Sequence, residues 1–284
     1  MIHVQGLQFT YPGQKERTLH GLSFDIPRGE IFGFLGPSGA GKSTTQKLLI
    51  GVLKGYQGSM KVMGKEIRET GSDYYEHIGV AFEFPNFYNK FTVLENMKLF
   101  RSLYRGNTEE PMRLLEQVDL TNAADMKVSQ LSKGMKMRLN FCRVLMHDPD
   151  ILFLDEPTSG LDPVNAKIMK EMILAKKAAG KTILLTTHNM QAAEELCDRV
   201  AFILDGEIKL IDSPRELKLR KGRRTIRIEY RRDGELQEGI FPLEGIGEND
   251  QFLTFIRKYP PETIHSQEAT LEQIFIEVTG RQLT

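Results

Sequence analysis

The tightest constraint on this chain is an eight-residue run, Gly36-Pro37-Ser38-Gly39-Ala40-Gly41-Lys42-Ser43. It fits the pattern G-x-x-x-x-G-K-[ST] and lies between the largely apolar strand pattern of residues 30–35 and a helical pattern over residues 42–53. Glycines let backbone N–H groups turn inward without a Cβ in the way, and a helix start adds partial positive charge. Such a loop grips phosphate. A chance glycine-rich turn would require neither the strand before it nor the helix after it. The spacing predicts a phosphate site over residues 36–43, with Thr44 following in the helix. Lys42 would reach the distal phosphates of a nucleotide, and the Ser43 hydroxyl would take a place on Mg2+. By itself the run says only that the fold belongs to the broad class of phosphate-loop nucleotidases.

Around it, strands and helices alternate, which predicts an α/β core. Residues 4–9, 22–26, 30–35, 59–62 and 78–82 read as strands. Residues 92–146 turn helical, and the block from about 84 to 147 reads as an inserted helical subdomain. Alternation resumes with strands at 151–154 and 182–186, helices at 163–179 and 190–197, and a hairpin around Asp205-Gly206. Composition shifts at Arg220-Lys221-Gly222-Arg223-Arg224. The expected division is a main domain over residues 1–219 and a small α+β appendage over 220–284. A turn is expected at Asp233-Gly234, and Thr270 with Gln273 form a capping box for the last helix.

Residues 151–154 are wholly apolar and end in Asp155-Glu156. A strand of that kind belongs inside a parallel sheet, and ligands bind at the carboxyl ends of such strands. Two acids there are unfavourable unless a cation or a reacting group uses them. Asp155 is expected to hold Mg2+ and Glu156 to polarise a water. His188 follows the apolar strand 182–186 and would lie at the same sheet edge. The alternative readings are an exposed acidic turn before Pro157 and a histidine that merely caps a helix.

Lys and Arg total 38, as do Asp and Glu, so the formal net charge is zero. A dedicated nucleic-acid binder would usually be basic, so no nucleic-acid partner is expected. The two cysteines, Cys142 and Cys197, lie in helical patterns without the company of a zinc site and read as buried structural thiols. No stretch is apolar for the roughly 18–20 residues that a membrane span requires, and residues 1–9 read as a strand rather than a signal peptide. Work at a membrane would need a spanning partner chain.

The set of motifs resembles the nucleotide-binding domain of ABC transporters over roughly residues 1–215. Leu131-Ser132-Lys133-Gly134-Met135 resembles that family's signature sequence, and Ser159-Gly160-Leu161-Asp162 its D-loop. Asp155 and Glu156 match the Walker B aspartate and the catalytic glutamate, and His188 the switch histidine. Tyr11 stands where the family places an aromatic that stacks on adenine. The resemblance implies ATP and Mg2+ as ligands, and ATP hydrolysis with Glu156 and His188 as catalytic residues. It also implies a head-to-tail dimer, either a homodimer or a heterodimer with another ABC ATPase. There Ser132, Lys133, Gly134 and Met135 would face the ATP of the other subunit. A separate transmembrane permease would hold the chain at the cytoplasmic face of the cell membrane.

Two positions depart from the family pattern. Glu83 replaces the usual glutamine of the Q-loop, and a carboxylate there would still contact Mg2+ while adding a charge beside ATP. The signature reads LSKGM, and Lys133 adds a positive charge near the nucleotide. That signature and the ending Thr270-Leu271-Glu272-Gln273-Ile274-Phe275 resemble bacterial exporters of drug or antibiotic-resistance type. Phe84, Pro85, Phe87, Tyr88 and Phe91 read either as local packing or as a groove for a short helix of the permease. Arg220–Arg224 reads as a solvated linker or a contact for anionic lipid. The competing functions are an ABC importer ATPase and a soluble, non-transport ABC ATPase.

Overall fold

Strand-forming and helix-forming segments alternate along the first 213 residues, and they assemble around two sheets. The computed structural model describes residues 1–221, 225–232 and 234–281. Gly222, Arg223 and Arg224 of the basic run, and Asp233 of the expected turn, lie outside the described residues. The first compact unit ends at Ser213 and the second begins at Pro214.

In the first unit, β1 (Ile2–Phe9), β2 (Leu19–Ile26) and β3 (Ile31–Leu35) precede α1 (Lys42–Leu49). Then come β4 (Gln57–Val62), β5 (Lys65–Glu66) and β6 (Ile78–Ala81). The helical insertion holds α2 (Val93–Arg101), α3 (Pro111–Gln117) and α4 (Lys133–Val144). It is followed by β7 (Ile151–Asp155), α5 (Pro163–Ala178), β8 (Thr182–Thr187), α6 (Met190–Leu196), β9 (Arg199–Leu204) and β10 (Glu207–Asp212). One sheet has the order β2-β1-β4-β5 and is antiparallel. The larger has the order β10-β9-β3-β8-β7-β6 and is parallel from β9 to β6.

Strands β3, β7 and β8 bear buried side chains on both faces, which is why they read as continuous apolar runs rather than alternating ones. Phe24 of β2 meets Phe32 and Phe34 of β3, with ring centroids 5.7 and 5.0 Å away, so one core joins the two sheets. The helix after the phosphate loop ends at Leu49, four residues before the expected end. Gly51 in the left-handed region (φ 80°) follows the Ile50 cap and closes it.

The second unit holds α7 (Pro214–Lys221), β11 (Thr225–Arg232), β12 (Glu235–Pro242), α8 (Asp250–Lys258), β13 (Pro261–Gln267) and α9 (Leu271–Thr279). Its sheet has the order β12-β11-β13. Phe252 and Phe255 of α8 pack on Phe241, and Phe255 also meets Tyr230. Helix α7 contacts α9, where Leu271, Ile274 and Phe275 are fully buried. That contact explains why the compact unit begins at Pro214, although the composition changes at residue 220. Thr270 and Gln273 form the capping box at the start of α9.

Candidate functional site

Parallel register brings four chain segments to one edge of the larger sheet. Leu35 pairs with Thr187, Asp155 with Thr186, and Ala81 with Leu154. The phosphate loop leaves β3 there, the two acids end β7, His188 follows β8, and Glu83 stands two residues beyond β6. This is the carboxyl edge of the sheet, where an α/β fold binds ligands.

Two positions of the loop tolerate only glycine. A Cβ at Gly36 would lie on the carbonyl oxygen of Ile203. Gly41 caps α1 with φ 105°, and a Cβ there would meet Leu19. Between them run Pro37, Ser38, Gly39 and Ala40, and the first-turn amides of α1, including those of Lys42, Ser43 and Thr44, have no intrahelical acceptor. Lys42 is buried. Its Nζ donates to the carbonyls of Gly36 (2.6 Å) and Pro37 (2.9 Å). Burial lowers its pKa, and Glu156 and Asp155 pull it back up. The Tyr11 hydroxyl pairs with Thr44 Oγ1 at 3.1 Å, and its ring stands edge-on to Phe9, beside the helix that follows the loop.

The two acids differ. Asp155 Oδ1 accepts from Ser43 Oγ at 3.3 Å and from the Thr186 hydroxyl. Glu156 is buried and accepts from Thr187 Oγ1 (3.0 Å), from the His188 backbone N–H (3.0 Å) and from His188 Nδ1 (2.7 Å). Its backbone lies in the left-handed region, with φ 48°. Asp155 is thus bonded to the loop through Ser43, while Glu156 is buried in its own set of bonds, so the pair does not form an exposed acidic turn. Thr186 and Thr187 were missed in the sequence, although two threonines closing an apolar strand are a readable signal.

Mg2+ usually keeps several waters and uses one or two carboxylates plus phosphate oxygens, rather than an all-protein cage. Among the described residues no group of three His, Cys, Asp or Glu side chains is gathered for a metal. Ser43 Oγ and Asp155 Oδ1, 3.3 Å apart, are instead a sparse oxygen pair of the kind that suits Mg2+ beside a nucleotide, and Glu83 is half-buried beyond β6 at the same sheet edge.

The signature residues lie elsewhere. Ser132 caps α4 and accepts from the Met135 N–H at 3.2 Å. Ser132 and Lys133 are exposed, whereas Gly134 is buried beneath the Asn165 side chain. The Lys133 side chain reaches Gly160. Asp162 caps α5 by accepting from the N–H groups of Val164 and Asn165, each at 3.1 Å, and from Asn165 Nδ2 at 2.5 Å. The Asn165 side chain holds the Asp162 carboxyl below its usual range. Residues 132–135 and the segment 159–165 thus form one corner, with Ser132, Lys133, Gly160 and Asp162 exposed. Asn165, the link between them, carried no signal in the sequence.

A family model described as ABC transporter matches residues 19–159. A second, described as fluoroquinolone efflux ABC transporter C-terminal domain, matches residues 224–268. The chain is 55% identical to a fluoroquinolones export ATP-binding protein of Mycobacterium tuberculosis, over 100% of this chain and 95% of that protein. The chain belongs to the ABC transporter family of ATP-binding proteins. A Nod factor export ATP-binding protein I of Burkholderia pseudomallei is 38% identical over 93% of this chain and 92% of its own length. Among solved structures, an ATP-binding subunit of an ABC transporter superposes with a TM-score of 0.70 at 28% identity, covering 78% of this chain and 93% of that one. A dimeric ATP-binding cassette in a post-hydrolysis state, bound to ADP and Pi, gives 0.67 at 26% identity, covering 75% and 98%. The fold is that of the ABC ATPase cassettes, as expected from the sequence. Among the described residues no helix is long and apolar enough to cross a membrane.

Proposed function

We propose that this ABC chain hydrolyses ATP with Mg2+ and powers the export of a drug or other hydrophobic compound through a separate transmembrane subunit. The observation that carries the hydrolytic reading is the network on Glu156, whose three donors aim one carboxylate at the sheet edge beside the phosphate loop.

The loop amides of residues 38–44 cradle the phosphates. Lys42 exchanges two carbonyls of its own loop for phosphate oxygens. Tyr11 stacks on the adenine. Ser43, Asp155 and Glu83 would hold Mg2+, which would supply charge neutralisation on the phosphates. Glu156 orients a water and takes its proton, and His188 presents its imidazole to the terminal phosphate. Ser132, Lys133, Gly134 and Met135, with Asp162 at the same corner, complete the site of a second subunit. That division of labour accounts for why residues 132–135 lie with Asp162 rather than with Lys42, and dimeric cassettes among the structural relatives support it.

Export is supported by the names of the two curated relatives and by the match of the C-terminal residues to a fluoroquinolone efflux domain. The exposed Phe84, Tyr88 and Phe91 offer the permease an apolar seat beside Glu83, which would hold the chain at the cytoplasmic face of the cell membrane. Glu156→Gln should keep ATP affinity, lower turnover roughly a hundredfold or more, and accumulate an ATP-bound dimer. Full turnover in that variant dismisses Glu156 as the base. For export, cells lacking this chain should retain more fluoroquinolone than cells carrying it, and equal accumulation dismisses that substrate class.

A further inference from the structure

Strand β6 forms one edge of the larger sheet, so one side of its backbone has no neighbouring strand. Unpaired carbonyls at such an edge need donors from elsewhere. Here three alternate carbonyls, two in β6 and one in the residue just past it, are each met by a side chain. His147 Nε2 donates to the Ile78 carbonyl at 2.9 Å, Arg143 Nη2 to that of Val80 at 3.1 Å, and Asn140 Nδ2 to that of Phe82 at 3.2 Å. The acceptors are spaced at 78, 80 and 82, and the donors at 147, 143 and 140, so the two series run in opposite directions. Helix rises about 1.5 Å and strand about 3.3 Å per residue, which brings the spacing of Asn140 and Arg143 near that of Phe82 and Val80, while His147 follows the end of α4 at Val144. The long arginine side chain takes up the difference. The result is a ladder of side chains in place of a seventh strand.

Arg143 also donates to Asn140 Oδ1 at 2.9 Å, which locks the two donors together. Its guanidinium lies 5.2 Å from the Phe100 ring centre and 5.8 Å from that of Phe87. The segment from Val80 to Phe87 is thus held near both ends by one arginine, and Glu83 lies between. At its other end α4 carries Ser132 and Gly134. No motif assigns Asn140 or Arg143 a part in the nucleotide site, yet they connect the signature helix to the strand end that bears Glu83.

We propose that Asn140 and Arg143 are positioning residues for Glu83: by holding the carbonyls of Phe82 and Val80 against α4, they set where the Glu83 carboxylate stands for magnesium-bound nucleotide. This rests on the reading of Glu83 as a metal contact. The Asn140 amide acts one residue away from Glu83, inside a buried environment. Its loss leaves the Phe82 carbonyl without a donor and frees the turn that aims the carboxylate.

The test is equilibrium binding to the full chain, using ATP with Mg2+ and ATP in EDTA. Glu83→Ala should lower the ratio of the two affinities. Asn140→Leu, close in volume, and Arg143→Lys, which keeps the charge but loses the fork, should each lower it by roughly fivefold. In a Glu83→Ala background neither should lower it further. An Asn140→Leu effect equal with and without Mg2+, or one that persists in the Glu83→Ala background, overturns the positioning role and leaves the Glu83 reading standing. An unchanged ratio in Glu83→Ala alone overturns the metal reading, and the positioning role falls with it. Should Asn140→Leu not fold, Arg143→Lys reads the same ratio and decides the matter by the same outcomes.

Discussion

Glu156 and Lys42 show how single residues here are held in states that folding alone would not choose. A non-glycine residue in the left-handed region costs roughly 1–2 kcal/mol. Glu156 is kept there by its backbone N–H to the Thr186 carbonyl at 2.9 Å and by the three donors on its carboxylate. Strain and network together point the carboxylate at the sheet edge before any ligand arrives, which is the pre-organisation that the proposed role of general base would require. Lys42 is the opposite case, since burial disfavours its charge. Its folded pKa lies below the ordinary lysine value, so in the interval just beneath that value the unfolded chain binds more protons than the folded one. Stability from this group must therefore rise with pH across that interval. Relative to a Lys42→Met variant, the nucleotide-free wild type should gain melting temperature as the buffer is taken from pH 8 towards 10. Thermal unfolding of both proteins across that range checks the sign, and a constant or shrinking difference contradicts it. The same variant should lose ATP affinity, because the ammonium that burial disfavours is the one the phosphates would use.

At the scale of elements, what could be read in the sequence was what depends on neighbours along the chain. The loop of residues 36–43 announced itself because its strand and helix adjoin it. The Asp205-Gly206 hairpin did so because both turn residues take positive φ, 49° and 72°. The capping box of α9 was legible for the same reason, and it is complete, with Thr270 Oγ1 accepting from the Gln273 N–H at 3.2 Å and Gln273 Oε1 accepting from the Thr270 N–H at 3.0 Å. Thr270→Ala removes half of that exchange and should destabilise the second unit by about 1 kcal/mol, seen as a lower melting transition for that unit. A change within error would mean that burial of Leu271, Ile274 and Phe275 alone fixes the helix start. Features that depend on strand order were not legible. The residues 140, 143 and 147 show a helical spacing, but nothing in the chain says that β6 is an edge whose carbonyls need donors. The Asn165 side chain over Gly134 is the same kind of omission, because it requires knowing that the start of α5 packs on the start of α4.

At the scale of the whole molecule, the aromatic run after Glu83 divides into two populations, and the division decides where a partner would press. Phe87 faces inward, its ring 5.9 Å from that of Phe100 and close to the Arg143 guanidinium. Phe84 and Tyr88 face outward, 76% and 55% exposed. Packing explains the first; large exposed rings on neighbouring turns of chain are the mark of a surface awaiting cover. A permease helix seated on Phe84 and Tyr88 would push on the segment that Asn140 and Arg143 hold, and through it on Glu83, so that partner and nucleotide would sense each other across a short stretch of chain. Charging the outward pair separates docking from ATP binding, because neither ring belongs to the phosphate loop or to the network on Glu156. The Phe84→Asp, Tyr88→Asp double variant should keep ATP affinity within about twofold while losing most co-purification with the permease and most drug export. The same substitution at Phe87 should instead lower melting temperature, since it would bury a charge against Phe100. Retention of both co-purification and export by the Phe84, Tyr88 variant would place the permease on another surface.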